Sequence, residues 1–403
     1  MRVAIVGAGL GGLCLAHGLR RAGIETVVLE RHPTRAVRPA SYGIHLNADG
    51  LRALHSCLPE ENWTRLIETT VPAPDIVRFH DQQLNVLATK DNSGDAANLD
   101  PVTSRRAVNR DALRDALLIG LDDVIQWGAS FDHYEEVDDQ VVAHCADGRR
   151  FTADLLVGAD GSNSRVRGQR HPGLDRQDLG ILTISSRVAL TPELVAQLPP
   201  TLIDGAVNNV VPSRPGWMFV STWETTDERY VVWAWAADRS TYPDDVETVG
   251  GNDLRVIVAE RVKDWAPALR RLVAQTEPDT MAAITLKTMP PVPDFAPSRV
   301  TLIGDAIHNM TPMAGIGANT ALRDAGTIYE ALSTSDGVVE SAGRYEAKMR
   351  EYANAALAVS TRNARNAATT ARMPRKAFHT VLRLAEAVPP IKHRMFATDK
   401  RRG

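Results

Sequence analysis

The chain has 403 residues, 44% hydrophobic and 24% charged, which suits a globular protein with more than one core and excludes a disordered or fibrous chain. A net charge of −3 leaves no electrostatic footprint for nucleic acid or an anionic membrane as partner. The three cysteines, Cys14, Cys57 and Cys145, are far apart and form no Cys-x-x-Cys pair, which argues against a disulfide framework, a thiol zinc site and a redox-active disulfide. No stretch reaches the roughly 18 apolar residues of a membrane span. The expectation is therefore a cytoplasmic protein, monomer or homodimer, with no membrane partner and no metal site.

In chain order, Arg2 to Gly7 reads as a nearly continuous apolar strand, the pattern of a parallel strand buried on both faces. It feeds Gly7, Ala8, Gly9, Leu10, Gly11 and Gly12, which fit G-x-G-x-x-G with Gly7, Gly9 and Gly12. An amphipathic helix follows, with Leu13, Leu15, Ala16 and Leu19 apolar, and a second strand, Thr26–Leu29, ends in Glu30. Gly7 permits the tight turn, Gly9 lets backbone approach a pyrophosphate, and Gly12 lets the helix pack close to the strand. The helix N-terminus supplies unpaired N–H groups for phosphates, and Glu30 stands where a carboxylate accepts from a ribose. These glycines do not separate NAD from FAD. Glu30 disfavours NADP, although Arg31 follows directly.

Residues 70–105 interrupt this pattern with Pro72, Pro74 and two predicted strands, 76–79 and 83–88. A helix rich in Leu and Ala opens near Arg110, and 154–165 reads as another buried strand ending in a polar glycine turn with Asp160 and Gly161. After Gly180 the pattern becomes alternating strands. Period-2 spacing puts Trp217, Phe219, Ser221 and Trp223 on one face, and Trp233 and Trp235 on one face of the next strand. Such aromatic faces suit either the wall of a site for a planar substrate or the packing of the sheet against helices. Residues 255–275 read as a helix. A third buried strand, 299–304, leads to Asp305 and His308, then to Pro312, Gly315, Gly317 and Asn319 at the start of a helix carrying Asp324. From about 338 the pattern is helical until Pro389 and Pro390, with a basic tail at Lys400, Arg401 and Arg402.

Four motifs in this order, Gly7–Gly12, Arg110, Asp160-Gly161 and Gly304-Asp305, resemble the single-component FAD-dependent aromatic hydroxylases of the p-hydroxybenzoate hydroxylase fold. The pattern is most similar to the branch of tetracycline-inactivating monooxygenases and kynurenine monooxygenase. The resemblance implies an α/β fold: a Rossmann-like FAD-binding domain with a discontinuous antiparallel-sheet substrate domain and C-terminal helices. The implied division is 1–70, 106–180 and 290–337 for FAD, 71–105 and 181–289 for substrate, and 338–403 for the terminal helices and tail.

The resemblance further implies that Asp305 bonds the ribityl chain, with a helix N-cap as its other role. Gly315, Gly317 and Asn319, after Pro312, set backbone N–H groups and a helix N-terminus near the flavin's pyrimidine end. Asp160 with Gly161 serves both cofactor binding and the nicotinamide encounter, and Arg110 and Arg106 contact FAD. Arg38 and His45 fall where relatives fold a strand against the flavin, and a strand-face histidine satisfied by backbone or solvent is equally compatible. His308 reads as a structural turn residue. Arg187, Trp217, Phe219, Trp233 and Trp235 are the substrate candidates, and no catalytic residue has a signature. The implied reaction is oxygenation of an aromatic or polycyclic small molecule through a flavin hydroperoxide, with NADPH or NADH and O2 as co-substrates, in secondary metabolism or antibiotic modification. Baeyer–Villiger insertion or epoxidation uses similar machinery. A non-catalytic flavin-binding protein is the reading from another class. A halogenase is disfavoured because Ala236, Ala237 and Asp238 stand where Ile-Pro is expected, and a disulfide reductase because paired cysteines are lacking.

Overall fold

The computed structural model describes residues 1–35, 42–93, 100–224, 228–334, 336–369, 372–388, 390 and 392, with the side chains of 372–374 outside the description. The chain divides into two compact units. The first comprises Met1–Pro72, Leu99–Gln177 and Lys287–Asn363, and the second Ala73–Asn98, Asp178–Leu286 and Ala364–Gly403.

The first unit is built on a five-stranded sheet in the order Val300–Leu302, Leu155–Gly158, Arg2–Val6, Glu25–Glu30, Ile125–Trp127, with parallel pairing throughout. Val3, Ala4 and Ile5 in the central strand are fully buried, as the apolar run requires. From that strand the chain steps to Glu25–Glu30 on one side and later to Leu155–Gly158 on the other. The strand order therefore reverses beside Arg2–Val6, and in open α/β sheets ligands bind at the carboxyl ends of the strands at such a point. The helix Leu10–Arg21 packs on the helix Gly317–Leu332, and glycine makes the approach possible: a Cβ on Gly11 would lie 3.1 Å from the Ala321 carbonyl oxygen. The strands Gly43–Leu46 and Val71–Pro72 flank Arg106–Asn109 in a small antiparallel sheet. A third sheet pairs Phe131–Val137, Gln140–Cys145 and Arg150–Ala153.

The second unit holds a seven-stranded sheet in the order Ala282–Thr288, Gln177–Ala189, Arg229–Asp238, Trp217–Glu224, Val207–Val210, Ile76–His80, Val86–Asp91. The insertion thus adds two strands to this sheet, with Ile76–His80 parallel to Val207–Val210. Its second strand starts later than the sequence pattern predicts, because Asp81 uses its side chain to accept from the N–H groups of Gln83 and Asn85 and folds 81–85 into a turn. The helix expected over 255–275 is two helices, Gly251–Arg261 and Pro267–Ala274. Pro267, lacking an N–H, occupies the first position of the second and cannot continue the first. The C-terminal helical pattern resolves into Val338–Ala368, which belongs to the first unit up to Asn363, and Arg372–Ala387 in the second. No described helix is long and apolar enough to cross a membrane.

Candidate active site

Three turns leave the carboxyl ends of adjacent strands in the first unit. After Arg2–Val6, Gly7 adopts φ +111°, and a Cβ there would lie 2.4 Å from the Ala159 carbonyl oxygen, so this turn and the Ala159–Gly161 turn abut. Gly12 is equally constrained, since its Cβ would lie 2.2 Å from the Gly7 carbonyl oxygen. Gly9 faces open space, with nothing within 4 Å of an added Cβ. The first bond of the helix runs from Leu13 N–H to the Gly9 carbonyl, and no side chain caps it. The N–H groups of Leu10, Gly11 and Gly12 are therefore presented at the positive end of the helix dipole, as a pyrophosphate requires.

Glu30 ends the neighbouring strand, 3% exposed, and accepts from the backbone N–H of Ala8 at 2.9 Å and of His32 at 3.0 Å. Each oxygen retains a lone pair for a ribose hydroxyl. Ala8 also receives a bond from the Arg114 guanidinium, Nε to carbonyl at 3.2 Å, which ties the glycine loop to the helix Arg110–Leu118. Sequence reading passed over Arg114; its signal was a second arginine one helical turn after Arg110. Arg110 itself is exposed at the first helical position, while Asn109 caps the helix by accepting from Asp111 and Ala112 N–H. Arg31 is exposed, Arg106 is buried and spends its guanidinium on the Thr70 hydroxyl and carbonyl, and Arg38 lies outside the described residues.

In the second turn, Asp160 accepts through Oδ2 from the N–H groups of Arg165 at 2.8 Å and Val166 at 3.3 Å. Its Oδ1 is buried without a hydrogen-bond partner, and burial raises its pKa. A buried carboxylate oxygen left open marks a place for a donor from outside the protein.

The third turn corrects one expectation. Gly304, at φ +61°, holds the cap position of the short helix Asp305–His308, whereas Asp305 is its first residue and makes no capping bond. Asp305 is partly exposed and has no hydrogen-bond partner among the described residues, so its carboxylate is free to accept. The turn is held from behind by Asp324. Asp324 accepts from Gly304 N–H at 2.7 Å, from His308 Nε2 at 2.6 Å and from the Tyr352 hydroxyl at 2.5 Å. Burial works against an imidazolium at His308, but the adjoining Asp324 carboxylate outweighs it and raises the pKa. His308 is a structural residue, fully buried.

Beyond it, Pro312 opens a single 3-10 turn that ends at Gly315 in the left-handed region, and Gly317 begins the helix Gly317–Leu332. That helix has no side-chain cap, and its first bond runs from Thr320 N–H to the Ile316 carbonyl, so Gly317, Ala318 and Asn319 present their N–H groups. The Asn319 side chain is otherwise engaged: it accepts from Asn47 N–H and donates to the His45 carbonyl, both at 2.8 Å. This fastens the strand bearing His45 to the helix end. Burial and then the charge of Arg105 push the His45 pKa well down, so its ring is neutral.

In the second unit the strand register sorts the substrate candidates onto opposite faces. Trp217, Phe219, Ser221 and Trp223 lie opposite Ala236, Ala234, Val232 and Tyr230, whereas Trp233 and Trp235 lie opposite Val220 and Met218. Trp233 and Trp235 are buried in the apolar core under the helices Gly251–Arg261 and Pro267–Ala274, and Trp233 Nε1 donates to Thr276 Oγ1 at 2.9 Å. The packing alternative describes both, and they do not share a face with Trp217 and Phe219. The other face is mixed. Arg187 pairs with Glu228 at 3.1 Å and lies over the Tyr230 ring, Tyr230 stacks with Trp223, and Trp223 meets Phe219 at 6.1 Å. Trp217 donates to Asn209 Oδ1 at 3.0 Å. Thr183, which sequence reading missed, shares this face through its register with Ala236, and its hydroxyl is buried with no partner.

These residues fit FAD. Open helix N-termini, the unfilled oxygen of Asp160, the free carboxylate of Asp305 and the space beside Gly9 are what a dinucleotide with a ribityl chain would occupy. The sequence comparisons agree. A family model described as FAD binding domain matches residues 1–367. The dual O-methyltransferase/FAD-dependent monooxygenase elcB of Phaeosphaeria nodorum is 28% identical over 390 residues, 85% of this chain and 42% of that protein. The chain spans less than half the length of several curated relatives it matches. Aurachin C monooxygenase/isomerase of Stigmatella aurantiaca is 28% identical over 379 residues, 90% of this chain and 88% of that protein. Among solved structures, a Photorhabdus luminescens protein assigned as an FAD containing monooxygenase superposes with a TM-score of 0.84 at 38% identity, covering 91% of this chain and 98% of the other. The resemblance to the FAD-dependent hydroxylases therefore holds at the level of the family: the chain belongs to the FAD binding domain family, and FAD is its cofactor.

Proposed function

We propose that the chain is a monooxygenase that uses NADPH or NADH and O2 to hydroxylate a small aromatic molecule. The observation that carries this reading is the convergence of three turns, at Gly7–Gly12, Asp160 and Gly304-Asp305, on the carboxyl edge of one parallel sheet. FAD supplies hydride acceptance from the nicotinamide and the activation of O2 for oxygen transfer. The balance is one substrate C–H, one O2, one NAD(P)H and one proton in; one C–OH, one water and one NAD(P)+ out.

The chain's own residues bind and orient. The N–H groups of Leu10, Gly11 and Gly12 would hold the pyrophosphate, Glu30 the adenosine ribose and Asp305 the ribityl hydroxyls. The N-terminus of Gly317–Leu332 would place the positive end of a 16-residue helix against negative charge on the ring system. No described side chain is required as a nucleophile. In the second unit, the face bearing Phe219, Trp223, Tyr230 and Arg187 is aromatic with few polar groups, the composition of a small-molecule site, with Trp223 and Tyr230 themselves buried and Phe219 and Arg187 partly exposed. Thr183 would supply a hydrogen bond there. The Trp233 face, filled by the unit's own helices, offers none of this.

The test is aerobic oxidation of NADPH and of NADH by purified, FAD-loaded protein with a panel of phenols and heteroaromatic compounds under 18O2. The expected result is a product carrying one labelled oxygen, formed in proportion to nicotinamide consumed. Hydrogen peroxide as the sole product across the panel would remove the oxygenase reading and leave the flavin site standing. Protein that stays colourless with excess FAD would remove both.

A further inference from the structure

On the three-stranded sheet of the first unit, His133 and His144 stand directly opposite one another across an antiparallel pair. Their rings stack at 4.4 Å, only 8° from parallel. Glu135, two residues along, returns to the same face. Its Oε1 lies 3.9 Å from His133 Nε2 and its Oε2 lies 3.4 Å from His144 Nε2. One ligand atom from each of the three residues falls within 4.8 Å of the other two.

A cross-strand imidazole pair with a nearby acid is ordinary on a sheet surface, but two details exceed that description. First, His133 Nδ1 is 3.0 Å from Asp132 Oδ2. A carboxylate accepts, so this contact selects the tautomer with the proton on Nδ1, the one whose lone pair lies at Nε2, the edge that faces Glu135. This carboxylate–histidine arrangement is the one that orients metal-binding imidazoles. Asp132 is held in turn by Arg165 at 3.3 Å. Second, His144 Nε2 is buried without a hydrogen-bond partner, a cost that a bound cation removes.

We propose that His133, Glu135 and His144 form a site for a first-row divalent transition-metal cation of the zinc class. Two imidazoles and one carboxylate favour zinc, copper or nickel over magnesium or calcium, which take oxygen ligands. Metal–nitrogen distances near 2 Å in a tetrahedron imply ligand atoms roughly 3.3 Å apart. The Glu135–His144 separation already meets that spacing; binding requires a rotation of the largely exposed Glu135 side chain and a turn of the two stacked rings that brings their in-plane lone pairs together. Three protein ligands leave a fourth position for water. The bound cation would pin two neighbouring strands together. The sequence expectation of no metal site rested on cysteine spacing, and strand pairing assembles this one from histidines that have no motif.

The test uses FAD-loaded protein stripped with EDTA, titrated with zinc chloride by calorimetry and with cobalt chloride by visible absorption. Uptake of one zinc per chain is expected, with cobalt bands of tetrahedral intensity and a raised thermal midpoint. The variant H133A/H144A should lose stoichiometric uptake. D132N, which keeps all three ligands, should bind about tenfold more weakly. E135Q, the least disruptive ligand change, should lose the tetrahedral cobalt spectrum, and it decides the matter if the double variant fails to fold. Absence of stoichiometric zinc uptake by the unmodified protein would overturn the proposal. So would equal affinity in E135Q.

Discussion

The two units make their candidate binding surfaces in different ways. In the first, the groups aimed outward are mostly backbone N–H at helix starts, set by turns that only glycine fits at Gly7 and Gly12. In the second, the candidate surface is made wholly of side chains on one face of a sheet: Arg187, Phe219, Trp223, Tyr230 and Thr183. A backbone-built site is fixed in kind, because any departure breaks the turn. A site built of side chains is free to change with its ligand while the sheet stays intact. The contrast separates what the cofactor demands from what a substrate would demand, and each prediction below presses on it.

The largest effect is expected behind the cradle. Asp324→Ala would leave the buried His308 Nε2 and Gly304 N–H unpaired and would remove the carboxylate partner of the half-buried Tyr352 hydroxyl. Removing one partner of a buried ion pair costs about 3–5 kcal/mol, and urea denaturation should show a loss of that size. A loss below about 1 kcal/mol would mean that the Gly304 turn does not depend on this network.

Next comes a buried acid in the same unit that serves no turn. Glu346 accepts from the Thr301 hydroxyl at 2.8 Å, its other oxygen has no partner, and burial raises its pKa from 4.5 to about 7. A carboxyl raised in the folded state is protonated there while the unfolded chain has already ionised. Its contribution is therefore fully present below pH 4.5 and is lost as pH rises through 7. The slope over that window should amount to about 3 kcal/mol between its ends. Glu346→Gln should flatten it, as chemical denaturation at pH 5 and pH 8 would reveal. An unchanged pH slope would place the titrating group elsewhere.

Asp305 separates cofactor binding from stability. It has no hydrogen-bond partner among the described residues and acts on His308 only through its charge, so Asp305→Ala should move the unfolding midpoint little. FAD affinity should fall by about 1–3 kcal/mol, the range for a hydrogen bond to a charged group. Fluorescence titration of apoprotein with FAD measures this directly. A variant that binds FAD as tightly as the parent would remove Asp305 from the site.

How much of this was legible in the sequence follows the same division. The strand–glycine–helix start and the two later strands with their acidic turns were readable, each dictated locally by apolar runs and glycines, whereas the insertion's membership of the second sheet was implied only by the family resemblance. Pro267 also announced the break that the single 255–275 helix overlooked. Contacts made across the fold were not readable. Nothing local says that Arg106 would be consumed by Thr70, or that Asn319 would spend its side chain on Asn47 and His45. The aromatic strands show why. Period-2 alternation gives each strand two faces, and only the register between strands shows that the face of Trp217 is the reverse of the face of Trp233.

The smallest effect tests that reversal. Thr183→Val keeps the shape of the side chain and removes a buried hydroxyl that has no partner. Stability should hold or rise by up to about 1 kcal/mol, since no hydrogen bond is lost and a desolvated polar group disappears. If that hydroxyl meets substrate, KM should rise several-fold at unchanged flavin content. Trp233→Phe, on the opposite face, should do the converse: the bond from Nε1 to Thr276 is lost, stability falls by about 1–2 kcal/mol, and KM stays put. Matching KM changes in the two variants would show that the faces are not functionally distinct, and the assignment of substrate to the Phe219 face would fail with them.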